Sequence, residues 1–346
     1  MQKSLNKKQF ANDIVIWYRA NKRDLPFRKS RDPYAIFISE MMLQQTQVST
    51  MLPYFERFLT TFPTFKSLAA SDFNTVLTLW EGLGYYRRAK YIHETAQMIM
   101  DHYDGKFPES LKEIRKLKGV GQYTAGAIHS IAFNQPTPAV DGNVMRVISR
   151  ITGYDGDIAT EQAKKTIESY VESLILYVTP SDFTQGLMEV GALICNKNPH
   201  CEACPLTKHC FAYEHNAQQS LPVKKQLKAK IAEHFTVLVV ENSQGDYFLK
   251  HNPPKGLLAN MLAFPQYQTA SIHKAVQSFE SEQKLVITKP NKLGQVKHVF
   301  THKTWTLDIY HATYQGIDTT DFYSLGKLPS AMSRAHHKII EHLKKQ

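Results

Sequence analysis

Cysteine is scarce in this chain, and it is confined to one place. The four cysteines, Cys195, Cys201, Cys204 and Cys210, lie in a single short segment, which excludes a disulfide framework spread through the fold. No apolar run approaches the length of a transmembrane helix. The N-terminus begins MQKSLNKK and lacks the apolar core of a signal peptide. These absences predict a cytoplasmic protein.

Acidic residues are outnumbered by basic ones. The chain has 42 Lys and Arg against 31 Asp and Glu, a formal net charge of +11 at pH 7, and a pI near 9.3. A basic surplus favours a polyanionic partner, with nucleic acid ahead of an anionic membrane. The length of 346 residues suggests about two domains, and a hydrophobic content of 42% suffices for their cores.

Strand signals are nearly absent before Cys210. Asp32 and Pro33 form a helix start, with Asp as N-cap and Pro at the first helical position. Further helical patterns cover about 50–60, 72–81, 86–103, 124–133, 143–152, 160–177 and 182–195. The chain up to residue 213 is therefore predicted to be an all-α domain.

The composition changes after the cysteines. Residues 214–231 are polar and basic, which is typical of a linker. β-rich runs follow at 235–240, 247–249 and 285–288, with helical patterns near 271–284 and 333–345. Residues 232–346 are therefore predicted to form a second domain, of the α+β class.

The segment from Leu117 to Asn143 carries the clearest motif. A basic helical stretch ends in Gly119-Val120-Gly121, where two glycines allow a tight turn with positive φ. A helix of small residues then begins at about Tyr123. Such a hairpin directs backbone N–H groups outward, with the positive end of a helix dipole behind them, and this arrangement suits a phosphate group.

These residues resemble the helix-hairpin-helix DNA glycosylase superfamily. With SEMMLQQT at 39–46, GLGYY at 82–86 and Asp141, the chain is similar to the MutY family of adenine DNA glycosylases. The similarity covers about residues 10–222 and, more weakly, extends to about 310. It implies an all-α helix-hairpin-helix domain with an iron–sulfur loop, followed by an α+β Nudix-like domain. The implied activity is base excision repair of adenine mispaired with 8-oxoguanine or guanine in double-stranded DNA, by a monomer associated with the nucleoid.

Two carboxylates are the candidate catalytic groups. Glu40 shares a helix face with Ile36, Phe37 and Leu43, and burial there would raise its pKa into the range of a general acid. The resemblance implies that it protonates N7 of adenine. Asp141 precedes a helix as a candidate N-cap, which would hold it fixed and ionised; the resemblance implies that it stabilises the oxocarbenium ion.

Tyr123 decides the reaction type. Endonuclease III-like relatives carry a lysine at this hairpin position, whose amine forms the Schiff base needed for strand scission. A tyrosine predicts a monofunctional glycosylase. Lys118, with Gly119 and Gly121, is a candidate phosphate contact. Asn143 and Arg28 match positions with which the family supports its site.

A base inside a duplex must be flipped out before Glu40 can reach it. Gln45, Leu83 and Tyr85 match the family positions that enter the duplex beside the lesion. The alternative is that residues 82–84 form an ordinary helix-ending turn with Tyr85 in the core.

The cysteine spacing C-x5-C-x2-C-x5-C allows zinc, a [4Fe–4S] cluster or disulfides. Disulfides do not suit a cytosolic protein, and zinc sites usually have two CxxC pairs. Four thiolates in a compact loop fit a [4Fe–4S] cluster of structural role. The family spacing has six residues in the first gap, whereas this chain has five.

The C-terminal part resembles the Nudix-like domain of MutY, which recognises 8-oxoguanine. Residues 256–265 resemble a segment of that domain. No RExxEE-type acidic run follows, so the Mg²⁺ site of a pyrophosphatase is not expected. Phe300, Thr301 and His302 match the family's Phe-Ser-His tip, with Thr in place of Ser. The alternative places Phe300 in the core of an amphipathic strand.

Three other functions stay open at this stage. A glycosylase/lyase acting on oxidised pyrimidines is disfavoured by Tyr123 and by the second domain. A module that only binds damaged DNA would need neither Glu40 nor Asp141. A nucleotide pyrophosphatase is disfavoured by the missing acidic run.

Overall fold

The computed structural model describes residues 6–225, 230–300, 302–316 and 321–344. Two compact units divide the chain. Unit 1 comprises Met1–Ser71 and Lys90–Gln226, and unit 2 comprises Asp72–Ala89 and Leu227–Gln346. Unit 2 is thus built from two separate stretches of sequence. The boundaries expected from the sequence, with a linker over 214–231, stay a prediction.

The chain before residue 226 is helical, as its sequence predicts. Its helices are α1 (Lys7–Asn21), α2 (Pro33–Leu43), α3 (Val48–Thr61), α4 (Phe65–Ala69), α5 (Phe73–Leu79), α6 (Arg87–His102), α7 (Leu111–Ile114), α8 (Gln122–Ile131), α9 (Gly142–Thr152), α10 (Glu161–Ile175), α11 (Pro180–Leu193) and α12 (Phe211–Glu214). Short 3-10 helices cover Pro26–Arg28, Cys201–Ala203 and Thr207–His209. Among the described residues, no helix is both long and apolar enough to cross a membrane.

Helix α11 lies at the centre of unit 1. It packs against α1, α8, α9 and α10, and one apolar core joins α1, α9, α10 and α11. Helix α2 packs against α3 and α8. The helices that carry the candidate catalytic residues, α2, α8 and α9, are therefore linked by direct packing, since α2 contacts α8, and both α8 and α9 contact α11, which fixes their relative positions.

A mixed sheet forms the body of unit 2. Its strands are β1 (Ile231–Glu241), β2 (Tyr247–Phe248), β3 (Lys250–His251), β4 (Leu262–Ala263), β5 (Gln266–Tyr267), β6 (Asn291–Val299), β7 (Lys303–Thr313) and β8 (Phe322–Tyr323), with helices α13 (Ile272–Gln283) and α14 (Arg334–Leu343). The main sheet has the order β6-β7-β1-β2-β8, and β5 also pairs with β1. Strands β1 and β7 are parallel, whereas β6 and β7 are antiparallel. The predicted α+β class is confirmed.

Strand β1 is buried on both faces because a helix covers each side of the sheet. Val237 and Val239 share a core with α14, and Leu238 and Val240 share another with Phe279 of α13. Alternate residues of a strand point to opposite faces, so the continuous apolar run in β1 is what a doubly covered strand requires.

The strand predicted at 285–288 is wrong. Only Ile287 forms a bridge, to Tyr314, and Val286 is 77% exposed. The left-handed Lys284 ends α13 just before it, and Pro290, which lacks a backbone donor, lies just after it. Too few residues remain between these two positions to extend the pairing.

Candidate active site and DNA-contacting segments

The hairpin between α7 and α8 needs its first glycine. Gly119 has φ +73°, and a Cβ there would lie 2.4 Å from Cδ2 of Tyr91 and 2.9 Å from Cε of Met41. Gly121, with φ −83°, is the N-cap of α8, so the predicted turn takes its positive φ at Gly119. Lys118 is exposed beside the turn.

Glu40 is buried on a helix that is itself buried nearly all round. Asp32 caps α2 by accepting hydrogen bonds from the backbone N–H groups of Tyr34 and Ala35, as predicted. Glu40 is 6% exposed, and its Oε2 has no hydrogen-bond partner among the described residues. Burial raises the pKa of its carboxyl to about 7. A carboxyl of this kind holds a proton near neutral pH and can act as an acid.

Asp141 is the N-cap of α9, also as predicted. Its Oδ1 accepts a hydrogen bond from the backbone N–H of Val144 at 2.7 Å, and its Oδ2 accepts one from Nδ2 of Asn143 at 2.9 Å. Burial raises the pKa of this carboxyl above its ordinary value, although the two donors offset part of the rise. Glu40 and Asp141 therefore lie in contrasting surroundings, since only Asp141 has donors that favour its anion on both oxygens.

Tyr123 interacts electrostatically with both carboxyls. It is partly buried at the start of α8. Burial, followed by the charges of Glu40 and Asp141, raises its pKa well above 10. The charge of Asp141 also raises the pKa of Glu40, whereas the interaction with Tyr123 lowers it. The three groups therefore lie close enough to interact, and the place where they meet is here called the pocket; the phenol stays protonated there and is available as a donor.

Arg28 is held beside this pocket by a residue that sequence reasoning missed, Glu189. Its Nη1 and Nη2 bind the two carboxylate oxygens of Glu189 at 2.8 and 2.6 Å, and Arg23 binds the same carboxylate through Nε and Nη2 at 2.7 and 2.8 Å. Burial alone would raise the pKa of Glu189, but the two guanidinium groups lower it to about 2. The available sequence signal was an acid flanked by Leu187, Met188 and Val190 in the C-terminal half of α11.

Asn143 connects the pocket with the cysteine segment. Its Oδ1 accepts a hydrogen bond from Nη2 of Arg146 at 2.8 Å, and Nε of Arg146 donates to the backbone carbonyl of Cys195 at 2.7 Å. Gly191 leaves room for Asn143, since a Cβ there would lie 2.7 Å from the asparagine Cβ. Arg146, which sequence reasoning also missed, thus holds the side chain of Asn143 in place through a hydrogen bond.

The four cysteines line one cavity together with Arg150, and all four are free thiols. Burial, together with the other three cysteines, raises the pKa of Cys204 to about 12. Nη1 of Arg150 lies 3.3 Å from Sγ of Cys195. Within the described part of the chain, no three His, Cys, Asp or Glu side chains are placed to hold a single metal ion. A cluster of four irons makes a different demand, because each thiolate binds its own iron; the shared cavity and the adjacent cation fit such a group.

Two of the residues expected to enter the duplex have unusual backbones. Gln45 is exposed with φ +62°, and Tyr85 is 46% exposed with φ +51°. A non-glycine residue in this region is uncommon and is often found at functional sites. Leu83, between Gly82 and Gly84, is buried. Gln45 belongs to unit 1, whereas Leu83 and Tyr85 belong to unit 2.

Phe300 and His302 of the predicted tip lie between β6 and β7. Phe300 packs against Trp305, with ring centroids 4.7 Å apart, and against His298 at 4.6 Å. It is only partly buried, and His302 is exposed; Thr301 lies outside the described residues. On α13, Glu280 accepts a hydrogen bond from the backbone of Ile287 at 3.2 Å.

Comparison with known proteins identifies both parts of the chain. Residues 38–173 match the HhH-GPD superfamily base excision DNA repair proteins, and residues 236–342 match the NUDIX domain. A thermostable thymine-DNA glycosylase of known structure superposes with a TM-score of 0.55 at 30% identity, covering 62% of this chain and 100% of that one. The fold and the pocket therefore define a base-excision DNA glycosylase, an enzyme that hydrolyses N-glycosyl bonds.

Relatives that match most of the chain show which kind of DNA glycosylase it is. An adenine DNA glycosylase of Buchnera aphidicola subsp. Schizaphis graminum is 36% identical over 301 residues, covering 85% of each chain. Another, from Buchnera aphidicola subsp. Baizongia pistaciae, is 33% identical over 343 residues, covering 95% of this chain and 96% of the relative. The chain belongs to the adenine DNA glycosylase family, and the predicted base excision repair activity is confirmed at that level.

Proposed function

We propose that this adenine DNA glycosylase removes adenine paired with 8-oxoguanine or guanine in double-stranded DNA and leaves the DNA strand intact. The observation that carries the proposal is the contrast between Glu40 and Asp141. One buried carboxyl has an oxygen without a hydrogen-bond donor among the described residues and a pKa of about 7. The other has a donor on each oxygen. Cleavage of a glycosidic bond uses such a pair of one acid and one anion.

Glu40 is the proposed general acid. Protonation of N7 turns adenine into a better leaving group, and the glycosidic electrons move into the base as the C–N bond breaks. Positive charge develops on the sugar at the same time. Asp141, held by Asn143 and the backbone of Val144, is placed to stabilise that charge without reorganising. Water then adds to the sugar and releases a proton, which the carboxylate of Glu40 accepts after its own proton has gone to the base, and Tyr123 supplies a neutral donor in the pocket.

The absence of an amine at the hairpin position supports a monofunctional reaction. Strand scission through a Schiff base needs an unprotonated lysine near the sugar. Position 123 carries a phenol, and Lys118 is exposed on the outer side of the hairpin. A solvent-exposed lysine is better placed to bind a DNA phosphate than to attack a sugar carbon. The proposed product is therefore an intact strand with an abasic site.

DNA binding is assigned to residues from both units. In unit 1, the Gly119 and Gly121 hairpin with Lys118 suits the backbone phosphates, Arg28 supports the base pocket, and Gln45 enters the duplex. In unit 2, Leu83 and Tyr85 enter beside the lesion, while Phe300, Thr301 and His302 contact 8-oxoguanine. We expect the enzyme to act as a monomer on the DNA of the nucleoid.

The cysteine cavity is proposed to hold a [4Fe–4S] cluster. Cys195, Cys201, Cys204 and Cys210 would be its ligands, and the cluster would supply cross-linking of the loop without entering the reaction. Iron and acid-labile sulfide analysis of the purified protein tests this assignment. About four irons per chain support it; bound zinc, or a Cys204→Ser variant that keeps the iron content and visible absorption of the parent protein, would contradict it.

The reaction itself is tested in single turnover. Duplexes with adenine opposite 8-oxoguanine, guanine or thymine are incubated with the protein, and half of each reaction is treated with hot alkali. Cleavage of the adenine strand only after alkali, and only opposite the two guanines, is the expected result. Glu40→Gln should abolish it, whereas Glu56→Gln, at an exposed glutamate of α3, should not. Strand breaks without alkali would establish lyase chemistry instead.

A further inference from the structure

Glu81 joins an early part of the chain to its C-terminal helix. Its Oε1 accepts a hydrogen bond from the backbone N–H of Met332 at 3.2 Å, and the same oxygen pairs with Nε2 of His337. Met332 directly precedes Ser333, the N-cap of α14, and His337 lies in the helix. The carboxylate therefore lies at the positive end of a helix dipole, where an anion is stabilised.

An apolar cluster also joins these two parts of the chain. Leu77 of α5 is buried with Met261 and Ala331, while Phe73 and Tyr86 pack against this group. These contacts explain why Asp72–Ala89 belongs to unit 2. The apolar contacts are non-directional, whereas the two bonds of Glu81 are directional and lie directly before residue 82.

Glu81 directly precedes the segment 82–88, here called the wedge loop. Gly82, Gly84 and Tyr85 all have positive φ, at 92°, 76° and 51°. The carbonyl of Gly84 accepts hydrogen bonds from Nε1 of Trp80 at 3.1 Å and from Nη2 of Arg88 at 2.9 Å. The guanidinium of Arg88 lies 5.3 Å from the ring centroid of Tyr85. The loop is thus a formed structure, and Glu81 is the residue at its base.

We propose that Glu81 is a positioning residue, which fixes the wedge loop on the C-terminal domain through His337 and the N–H of Met332. Leu83 and Tyr85 would then enter the duplex in a fixed relation to the tip at 300–302, so that contact with 8-oxoguanine and entry of the wedge reinforce each other. This inference rests on the proposed function. Its consequence is that Glu81 contributes to discrimination between 8-oxoguanine and guanine without touching either base.

The test compares Glu81→Ala with Glu341→Ala. Glu341 pairs with Arg334 at 2.7 Å on the exposed face of the same helix, α14, and serves as the matched control. Dissociation constants are measured for duplexes with adenine opposite 8-oxoguanine and opposite guanine, together with the excision rate at saturating enzyme. Loss of Glu81 should weaken binding to the 8-oxoguanine duplex about tenfold. Binding to the guanine duplex and the saturated rate should change little.

Further variants separate positioning from general damage. Glu81→Gln keeps an acceptor for Met332 and should recover part of the discrimination. A cycle with His337→Ala should be non-additive, the double variant losing about as much as Glu81→Ala alone. Hydrogen exchange of the amides of residues 80–88 should increase in Glu81→Ala, while that of α2 and α8 stays as in the parent protein.

The outcomes distinguish this inference from the proposed function. If the parent protein does not excise adenine opposite 8-oxoguanine, the proposed function fails first. If the parent is active but Glu81→Ala keeps its discrimination and its exchange pattern, the positioning role is overturned. Equal weakening for both duplexes, accompanied by a lower melting temperature, would assign Glu81 to stability alone and also overturn it.

Discussion

Arg28 and Glu189 are joined by two parallel hydrogen bonds, although 161 positions separate them in the sequence. The guanidinium is 9% exposed and the carboxylate 1% exposed. Arg23 completes the group from the other side. One carboxylate thus balances two cations, and Arg28 in turn lowers the pKa of Glu40. The protonation state of Glu40, the proposed general acid, therefore depends in part on Arg28 and on the carboxylate that holds Arg28 in place.

Glu189→Gln should destabilise the protein by about 3–5 kcal/mol, because it leaves a buried guanidinium without its anion. Urea unfolding at pH 7 measures the change. Asp182→Asn is the matched control on the same helix, since Asp182 pairs with the 60% exposed Arg19, and its loss should cost less than about 1 kcal/mol. Similar costs for the two variants would contradict the structural role of Glu189.

The stabilisation that Glu189 contributes should be lost at acidic pH. The pKa of Glu189 falls from an ordinary 4.5 to about 2 on folding, so the unfolded chain binds more protons between these values. Its contribution is complete above about pH 5 and is lost as the pH falls towards 2. The parent protein should therefore lose its stability advantage over Glu189→Gln across that acidic range in urea titrations.

The excision rate should fall as the pH rises through about 7. The cause is ionisation of Glu40, whose pKa burial raises to about 7, since only the protonated form can deliver a proton to the base. The pH dependence of the excision rate is measured in single turnover at saturating enzyme, from about pH 5.5 to about pH 9. A rate that stays constant across this range would assign the proton to another donor.

Glu40→Gln should make the inactive protein more stable above neutral pH. Folding raises the pKa of Glu40 from 4.5 to about 7, so the folded state binds more protons in that window and the free energy of unfolding falls as the pH rises through it. The amide removes this cost, which reaches up to about 3 kcal/mol at pH 8. Denaturant unfolding at pH 8 and near pH 4 measures it. Glu56→Gln should show no gain at either pH.

Tyr123→Lys should introduce strand scission. The lysine would enter the pocket shared by Glu40 and Asp141, where it can reach the sugar and form a Schiff base. Strand breaks without alkali, and a covalent complex after borohydride reduction, are the expected signals. Gln122→Lys is the control, because Gln122 is exposed one position earlier. If both variants lack lyase activity, position 123 does not face the sugar.

Gly119→Ala should destabilise unit 1, whereas Gly121→Ala should not. At Gly119, the new Cβ meets the Tyr91 ring at 2.4 Å in a left-handed backbone, which costs at least about 1–3 kcal/mol. Nothing lies within 4 Å of a Cβ at Gly121. Thermal unfolding of the two variants gives the comparison. Equal melting temperatures would show that the hairpin adapts to a side chain.

Local signals in the sequence predicted much of the site. The N-caps at Asp32 and Asp141 and the apolar surroundings of Glu40 depend on residues within four positions, so periodicity and capping rules sufficed. Glu189 escaped prediction because its partners are distant in sequence. The short run at 285–288 was misassigned because its composition favours a strand, while the pairing depends on neighbouring elements.

The segment 72–89 shows a second limit of sequence reasoning. Its composition is like that of the helices on either side, so nothing in the sequence separates it from them. Its membership of unit 2 is decided by contacts of Leu77 and Glu81 with residues more than 180 positions later. A role for Glu81 could not be inferred until those contacts were known.

The discontinuity of unit 2 has a consequence for anyone who exchanges parts between related glycosylases. A chimera joined only near residue 226 would combine Leu77 and Glu81 from one parent with Met261, Ala331 and His337 from the other. The two parts of one packed unit would then come from different parents and would no longer match. A transplant of the C-terminal segment must therefore include residues 72–89 of the same parent, because the two stretches form one unit.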